Sequence, residues 1–444
     1  MKLLHTGDLH LGKTLHETPL IDDQKSMLEQ LIAELARDDY AALLIAGDIY
    51  DRTIPGADAV ELFSSFLGNL RTRFPDLAVC FIPGNHDSAQ RLGFADTILK
   101  TRNIHVVSDP EQSFHPLIIT GKTGERTALF LLPFLAAGTL SPEKLKEENG
   151  EAADAQQTAR VAHAATEPKA GEFDFGSKDD DASRTRSDIG AGNDEHQALM
   201  SQGELAAEAS RRFSRVLSTP EMKQVPTVLV AHLYTQGGLQ SDSERAFLGT
   251  AERVSPELFR DFSYVALGHL HRPQKAAERM YYAGSPLAYS FDEAGDRKAF
   301  LKVEIDCAAP GFPATVTQIP VKPDRAVVRL SGAFEDFYSK TTHDRHAADY
   351  LEITLTDEGM VANPMNLLRP KFPWLLSIRQ GQCASGTQGS NGDGDAGRAE
   401  PAAAEAKRDP ADDFDAFQIM LRGEADQQKS GLFRTLLKEA SDEA

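Results

Sequence analysis

The chain has 444 residues, 41% hydrophobic and 26% charged, enough for roughly two or three domains of ordinary globular composition. Its net charge of −20 lacks the basic excess usual in nucleic-acid binders, but the acidity is concentrated in residues 139–210 and 384–415, so whole-chain charge excludes little. Three widely spaced cysteines, Cys80, Cys307 and Cys383, exclude a disulfide framework and a thiolate zinc site.

In chain order, Met1-Lys2 runs straight into the apolar strand KLLHT, without the pattern of a secretory leader. A helix is predicted over Asp22–Arg37, with Met27, Leu28, Leu31, Ile32 and Leu35 at helical spacing. Strand AALLIA follows, then a helix over Ala57–Phe74, strand LAVCFIP, a short helical stretch, and strands NIHVV and TALFLLPFL. The longest apolar run, Ala128–Ala137, is too short to span a bilayer. These features point to a cytoplasmic chain with no membrane association.

Residues 139–203 are rich in Ala, Glu, Asp, Gly and Ser, a composition that buries too little surface to offset its ordering entropy. This acidic stretch is expected to be disordered and to interrupt a domain rather than end it. A helix over Leu205–Leu217 and the strands TVLVA and YVALG continue that domain, placed at 1–290. Alternating segments from FLKVEID to WLLSIR suggest a small α+β domain at 291–380, followed by a low-complexity linker at 381–411. The tail, 412–444, reads as two short amphipathic helices. One carries Phe414, Phe417, Met420 and Leu421, the other Leu432, Phe433, Leu436 and Leu437, a pattern suited to docking a partner.

Polar residues follow each of five apolar strands: Asp8 and His10 in GDLH, Asp48 in GDIYD, Asn85 and His86 in GNHD, His232 in VAH, and His269 and His271 in GHLH. Side chains at successive strand ends converge on one sheet edge, where an ion or small-molecule site belongs. Any one motif alone reads equally well as a turn. Five in order make a metal cage of Asp8, His10, Asp48, Asn85, His232, His269 and His271. Carboxylate, amide and imidazole donors suit manganese, iron or zinc better than calcium. Two such cations roughly 3.5–4 Å apart activate water and neutralise phosphoryl charge.

Asp48, after Gly47, is the candidate bridge between the two. Asp8, His10 and His271 would complete one site, and Asn85, His232 and His269 the other. In GDLH and GHLH the donors are two residues apart, which in extended chain puts them on one side. His86 adjoins a ligand and is the candidate general acid, with Asp51 placed to orient its ring. Lys13, Arg52, Ser88, Gln90 and Arg91 lie in loops beside the ligands, where the resemblance described next implies contacts to backbone phosphates.

These motifs resemble the calcineurin-like metallophosphoesterases. LHTGDLHLGK, IAGDIYDRTIP, IPGNHDSAQRLGF, YVALGHLHRPQ and YYAGSPLAYSFDE narrow the resemblance to the SbcD family of bacterial nuclease subunits. That resemblance implies an α/β four-layer sandwich of two mixed sheets flanked by helices, with a small α+β capping domain that contacts DNA. It implies two manganese ions on the seven ligands, with His86 catalytic. It also implies a homodimer that forms a heterotetramer with an SbcC-type ATPase gripped by the C-terminal helices. The activity implied is ATP-dependent exonuclease action on double-stranded ends and endonuclease action on hairpins and single strands, in DNA repair, recombination and replication. Two alternatives stand beside it: a phosphodiesterase of the same fold acting on a small nucleotide, and a metal-free binding module.

Overall fold

The computed structural model describes residues 1–141, 199–236, 238, 253–380, 414, 418 and 427–442. Most of the acidic stretch 139–203, the linker 381–411 and much of the first tail helix lie outside the described residues.

Two six-stranded mixed sheets form the centre. The first runs in the order Ala314–Pro320, Ala299–Ile305, Lys2–Thr6, Ala42–Ile45, Ala78–Phe81, Ile104–Val106. Its last four strands are parallel and its first two antiparallel. The second runs Gln274–Ala277, Met280–Tyr282, Tyr264–Gly268, Thr227–His232, Arg126–Leu132, Leu117–Thr120. There the middle four are parallel and both edge strands antiparallel.

Strand alternation sorts the side chains into layers. Leu3, Leu44 and Cys80 pack with Leu129, Val230 and Ala266 between the sheets. Leu4, Leu43 and Ile45 face the other way, onto Met27 and Leu31 of helix Ile21–Leu35 and Phe63 and Phe66 of helix Ala57–Arg73. On the outer side of the second sheet, Phe130, Leu229 and Val265 pack with Leu205 and Phe213 of helix Gln202–Leu217. Helix, sheet, sheet, helix is the four-layer α/β sandwich. The Gln202–Leu217 helix starts at a capping box, with the Ser201 hydroxyl and the Glu204 carboxylate each accepting a main-chain N–H of the other.

Strand position departs from the sequence expectation in one place. Alternation places FLKVEID and TVTQIPV in the small domain, yet Ala299–Ile305 pairs with Lys2–Thr6 and carries Ala314–Pro320 on its outer edge. The small sheet with a core cluster of its own therefore starts at Val327, within the same compact unit as the sandwich. It is a three-stranded parallel sheet of Val327–Gly332, Tyr350–Leu355 and Leu375–Gln380. Short helices Phe334–Tyr338 and Pro364–Leu368 contribute Phe337 and Leu368 to its own core of Leu351, Ile353 and Phe372. It seats on the sandwich through the Tyr350 hydroxyl, which donates to Asp23 at 2.7 Å, and through Arg325 stacked 4.2 Å over Trp374.

The C-terminal unit, residues 384–444, is separate. Within it the helix Gln427–Asp442 is described, with Phe433 stacked on Phe414 at 4.3 Å. Among the described residues no helix is long and apolar enough to cross a membrane.

Candidate metal centre

Asp8, Asp48 and Asn85 follow strands of the first sheet, while His232 ends, and His269 follows, strands of the second. The sequence expectation that extended chain would align the paired donors does not hold. Asp8 (φ 50°), His10 (φ 42°), Asp48 (φ 48°) and His269 (φ 108°) are all left-handed. Each such residue costs about 1–3 kcal/mol and persists only where its surroundings fix it. Here main-chain bonds do so: Asp8 N–H donates to Gly47 C=O (3.0 Å) and His10 N–H to Asp48 C=O (2.9 Å). His269 N–H donates to the Asp8 carboxylate at 2.9 Å, tying the second sheet to the first. Gly47 (φ 91°) makes the turn into Asp48, and a Cβ there would stand 2.2 Å from His232 Nδ1.

Six of the donors meet as two adjoining groups, and Asp8 lies beside Asp48 and His232, its Oδ1 4.0 Å from His232 Nδ1. In one, His10 Nε2 and His271 Nε2 confront each other at 3.1 Å. Glu293 accepts from His271 Nδ1–H at 3.1 Å, which puts the lone pair on Nε2. In the other, Asn85 Oδ1 lies 3.0 Å from His232 Nε2 and 3.1 Å from His269 Nδ1. Asp48 Oδ2 reaches both groups, 3.6 Å from His10 Nε2 and 3.4 Å from His232 Nε2. Asp8 Oδ2 is buried with no hydrogen-bond partner among the described residues. Basic atoms this close repel unless a proton or a cation lies among them, and hard and imidazole donors together fit divalent cations. Asp8, His10, Asp48 and His271 would hold one, and Asp48, Asn85, His232 and His269 the other.

Burial pushes the His10 and His269 rings down, to about 4 and about 3, leaving neutral ligands at pH 7. Burial also works against charge on Asp48, but His232, His10 and His86 outweigh it and hold that carboxyl well below the usual range. Asp8 is raised by burial. Burial would lower His232, but Asp48 and Asp8 override it and raise the ring to about 9. Without a cation, then, His232 holds a proton at pH 7 that a cation must displace. Binding of a divalent cation such as manganese at pH 7 is expected to release between about one and two protons per chain, from His232 and in part from Asp8, and apparent affinity to rise as pH goes from 7 to 9. Calorimetry in buffers of different ionisation enthalpy measures this; a binding heat indifferent to buffer would contradict it.

His86 is half-buried beside the cage. Its main-chain N–H donates to Asp48 Oδ1 at 2.9 Å and its ring Nδ1–H to the Asp51 carbonyl at 3.0 Å. The basic ring nitrogen is then Nε2. This corrects the expected role of Asp51, which orients His86 through its main chain. Its carboxylate is drawn to Lys13 (2.7 Å) and stands 3.6 Å from His10 Nδ1, because the lysine is the stronger partner. Asp87 accepts from the main-chain N–H groups of Ile49, Tyr50 and Gly84, each at 2.9 Å, and so holds the loops that carry Asp48 and Asn85.

Of the candidate phosphate contacts, Arg52, Gln90 and Arg91 are exposed near His86. Ser88 caps the short helix Ala89–Gly93, and Lys13 is engaged by Asp51. Sequence reasoning missed Glu293 and Lys298, and also Gln24, whose amide donates to His10 C=O at 2.7 Å and holds the GDLH loop. Gln24 sits on the buried face of its helix, and a polar residue at an apolar position was the available signal.

The calcineurin-like phosphoesterase family model matches residues 1–152. The match spans Asp8, His10, Asp48, Asp51, Asn85 and His86, while the structure supplies His232, His269 and His271 from beyond it. The family works with divalent cations, in keeping with the donor set assembled here. Residues 1–152 thus match the calcineurin-like phosphoesterase family, which supports a place for the chain among the metallophosphoesterases, hydrolases that cleave phosphoesters with bound metal.

Proposed function

We propose that the chain is a manganese-dependent DNA nuclease subunit of the SbcD type, working in the cytoplasm with an SbcC-type ATPase on double-strand ends and hairpins. The observation that carries this reading is the small domain of residues 327–380, which a small-ester hydrolase does not need. It is linked to the cage: Arg329 pairs with Asp292 at 2.7 Å, next to the Glu293 that holds His271. Two bound cations would supply an activated water and neutralise phosphoryl charge. His86 Nε2 would give a proton to the leaving 3′ or 5′ oxygen while Asp51 C=O holds the ring. Arg52, Gln90 and Arg91 offer backbone-phosphate contacts that carry no sequence information.

Exposed apolar side chains support a homodimer. Ile54, Phe94 and Ile98 are 71%, 89% and 70% exposed; Phe94 lines one groove with Thr53 and Pro55, the neighbours of Ile54, and the Thr53 hydroxyl donates to the His86 carbonyl. Such a patch on a soluble chain suits a second copy. In the tail, exposed Leu432 on the helix Gln427–Asp442 suits the ATPase.

Incubation with manganese and an end-labelled duplex, beside a chromogenic phosphodiester, tests the substrate class. Release of labelled nucleotides is expected. Cleavage of the small ester alone, even with the ATPase and ATP present, favours the small-nucleotide reading. Deleting 412–444 is expected to weaken ATPase capture at least tenfold, which is a loss of about 1.4 kcal/mol, while sparing manganese-dependent cleavage. Equal capture by both chains contradicts tail docking.

A further inference from the structure

Glu293 has no place in the reaction set out above, yet it is 1% exposed and is bound on both oxygens. Oε1 accepts from His271 Nδ1–H at 3.1 Å and from the Ser290 hydroxyl at 3.2 Å. Oε2 accepts from Lys298 Nζ at 2.5 Å and from the Ser285 hydroxyl at 3.2 Å. Lys298 is buried too, and its ammonium also donates to the main-chain carbonyl of His271 at 2.9 Å. That carbonyl takes Ser285 N–H as well, at 3.1 Å. A closed ring of bonds therefore runs from the His271 imidazole through Glu293 and Lys298 back to the His271 main chain. Ring orientation and tautomer are both fixed by it.

His10 is backed in a related way. On its Nδ1 side stands the Asp51 carboxylate at 3.6 Å, held by Lys13. Of the two imidazoles that confront each other through Nε2, His271 is thus hydrogen-bonded to a lysine-bound carboxylate, while His10 has one near its Nδ1 without a hydrogen bond to it. In the other half of the cage, His232 Nδ1–H donates to the neutral carbonyl of Ala46 at 2.8 Å. A carboxylate behind an imidazole makes it a more basic, better-oriented ligand than a carbonyl does. The two halves of the cage are built unequally.

We infer that Glu293, held by Lys298, is a positioning residue for His271 and makes the half of the cage formed by His10 and His271 the tighter cation site. This rests on the two-cation reading of the cage and adds an order of filling to it. Glu293 does not touch substrate; it acts through His271.

Manganese titration of the full-length chain by calorimetry tests it, with melting in EDTA as the record of folding. Wild type is expected to bind two ions of unequal affinity. Glu293→Gln is expected to weaken the tighter one by about 10–100-fold and to leave the weaker at its wild-type value. Because Glu293→Gln strands a buried ammonium, the double variant Glu293→Gln/Lys298→Met is measured beside it. Its melting in EDTA is expected to recover toward wild type while the tighter site stays weak. Recovery of both together means that Glu293 only supports the fold, and overturns the inference, as does an equal loss at both sites or no loss. A wild-type chain that binds no manganese overturns the two-cation reading itself.

Discussion

His86→Ala is expected to keep both cation sites and to lose about 10²–10⁴-fold in turnover, the range a positioned general acid contributes. The geometry separates the two properties. The His86 ring stands 4.8 Å from His10, centroid to centroid and edge-on, and shares a cluster with His10 and Asp51, but it is not one of the seven donors assigned to the cations. Its ring nitrogen Nδ1 is committed to Asp51 C=O, so removing the ring takes away a proton carrier and no cage donor. The main-chain N–H that donates to Asp48 Oδ1 survives substitution, so the bridging carboxylate keeps its orientation. Turnover on the duplex and metal per chain after dialysis measure both sides of the expectation. Undiminished turnover refutes the role of His86, and loss of metal shows that the ring helps to build the cage.

Gly268→Ala is expected to be the most disruptive single-methyl change near the site. Gly268 ends the strand that leads to His269 and lies opposite His232 in the register of the second sheet. A Cβ there would stand 1.8 Å from the Ala46 carbonyl oxygen and 3.0 Å from His232 Nδ1. Both contacts are to groups with nowhere to go, since that carbonyl accepts the His232 ring proton. Separating the sheets at this edge pulls apart the donors that each sheet brings. Overpacking of this kind costs about 1–3 kcal/mol and sometimes more, and manganese binding should fall with it. Gly68→Ala is the matched control. Gly68 lies in the helix Ala57–Arg73, with nothing within 4 Å of an added Cβ, and the same methyl should stabilise by about 0.5–1 kcal/mol. Thermal melting of the two variants measures the contrast; equal melting would contradict the close approach of the sheets.

Much of this site was legible in the sequence because apolar strands and polar strand ends are local patterns. Five strands were read nearly at their observed bounds, and the structure gathers Asp8, His10, Asp48, Asn85, His232, His269 and His271 into one cage. Helices Ile21–Leu35 and Ala57–Arg73 were fixed by their apolar spacing and lack of internal proline. What escaped depends on partners remote in sequence. Alternation marks Ala299–Ile305 as a strand but says nothing of its pairing with Lys2–Thr6, nearly three hundred residues away. The left-handed backbone at Asp8, His10, Asp48 and His269 runs against their intrinsic preference and is imposed by tertiary bonds. Asp51 lay close to His86 as expected, but only coordinates show that a carbonyl makes the contact. Glu293 ends the motif YYAGSPLAYSFDE, but nothing in that motif marks it as the partner of His271, and its importance comes from a buried lysine five residues on.

Asp48 is expected to hold two cations between the ends of two sheets. A crystal grown with excess manganese, recorded at the manganese absorption edge, tests it most directly. Two anomalous peaks are expected, one among Asp8, His10 and His271, the other among Asn85, His232 and His269, with the Asp48 carboxylate reaching both. Absence of anomalous signal among these residues, or a single peak that Asp48 does not touch, would contradict it.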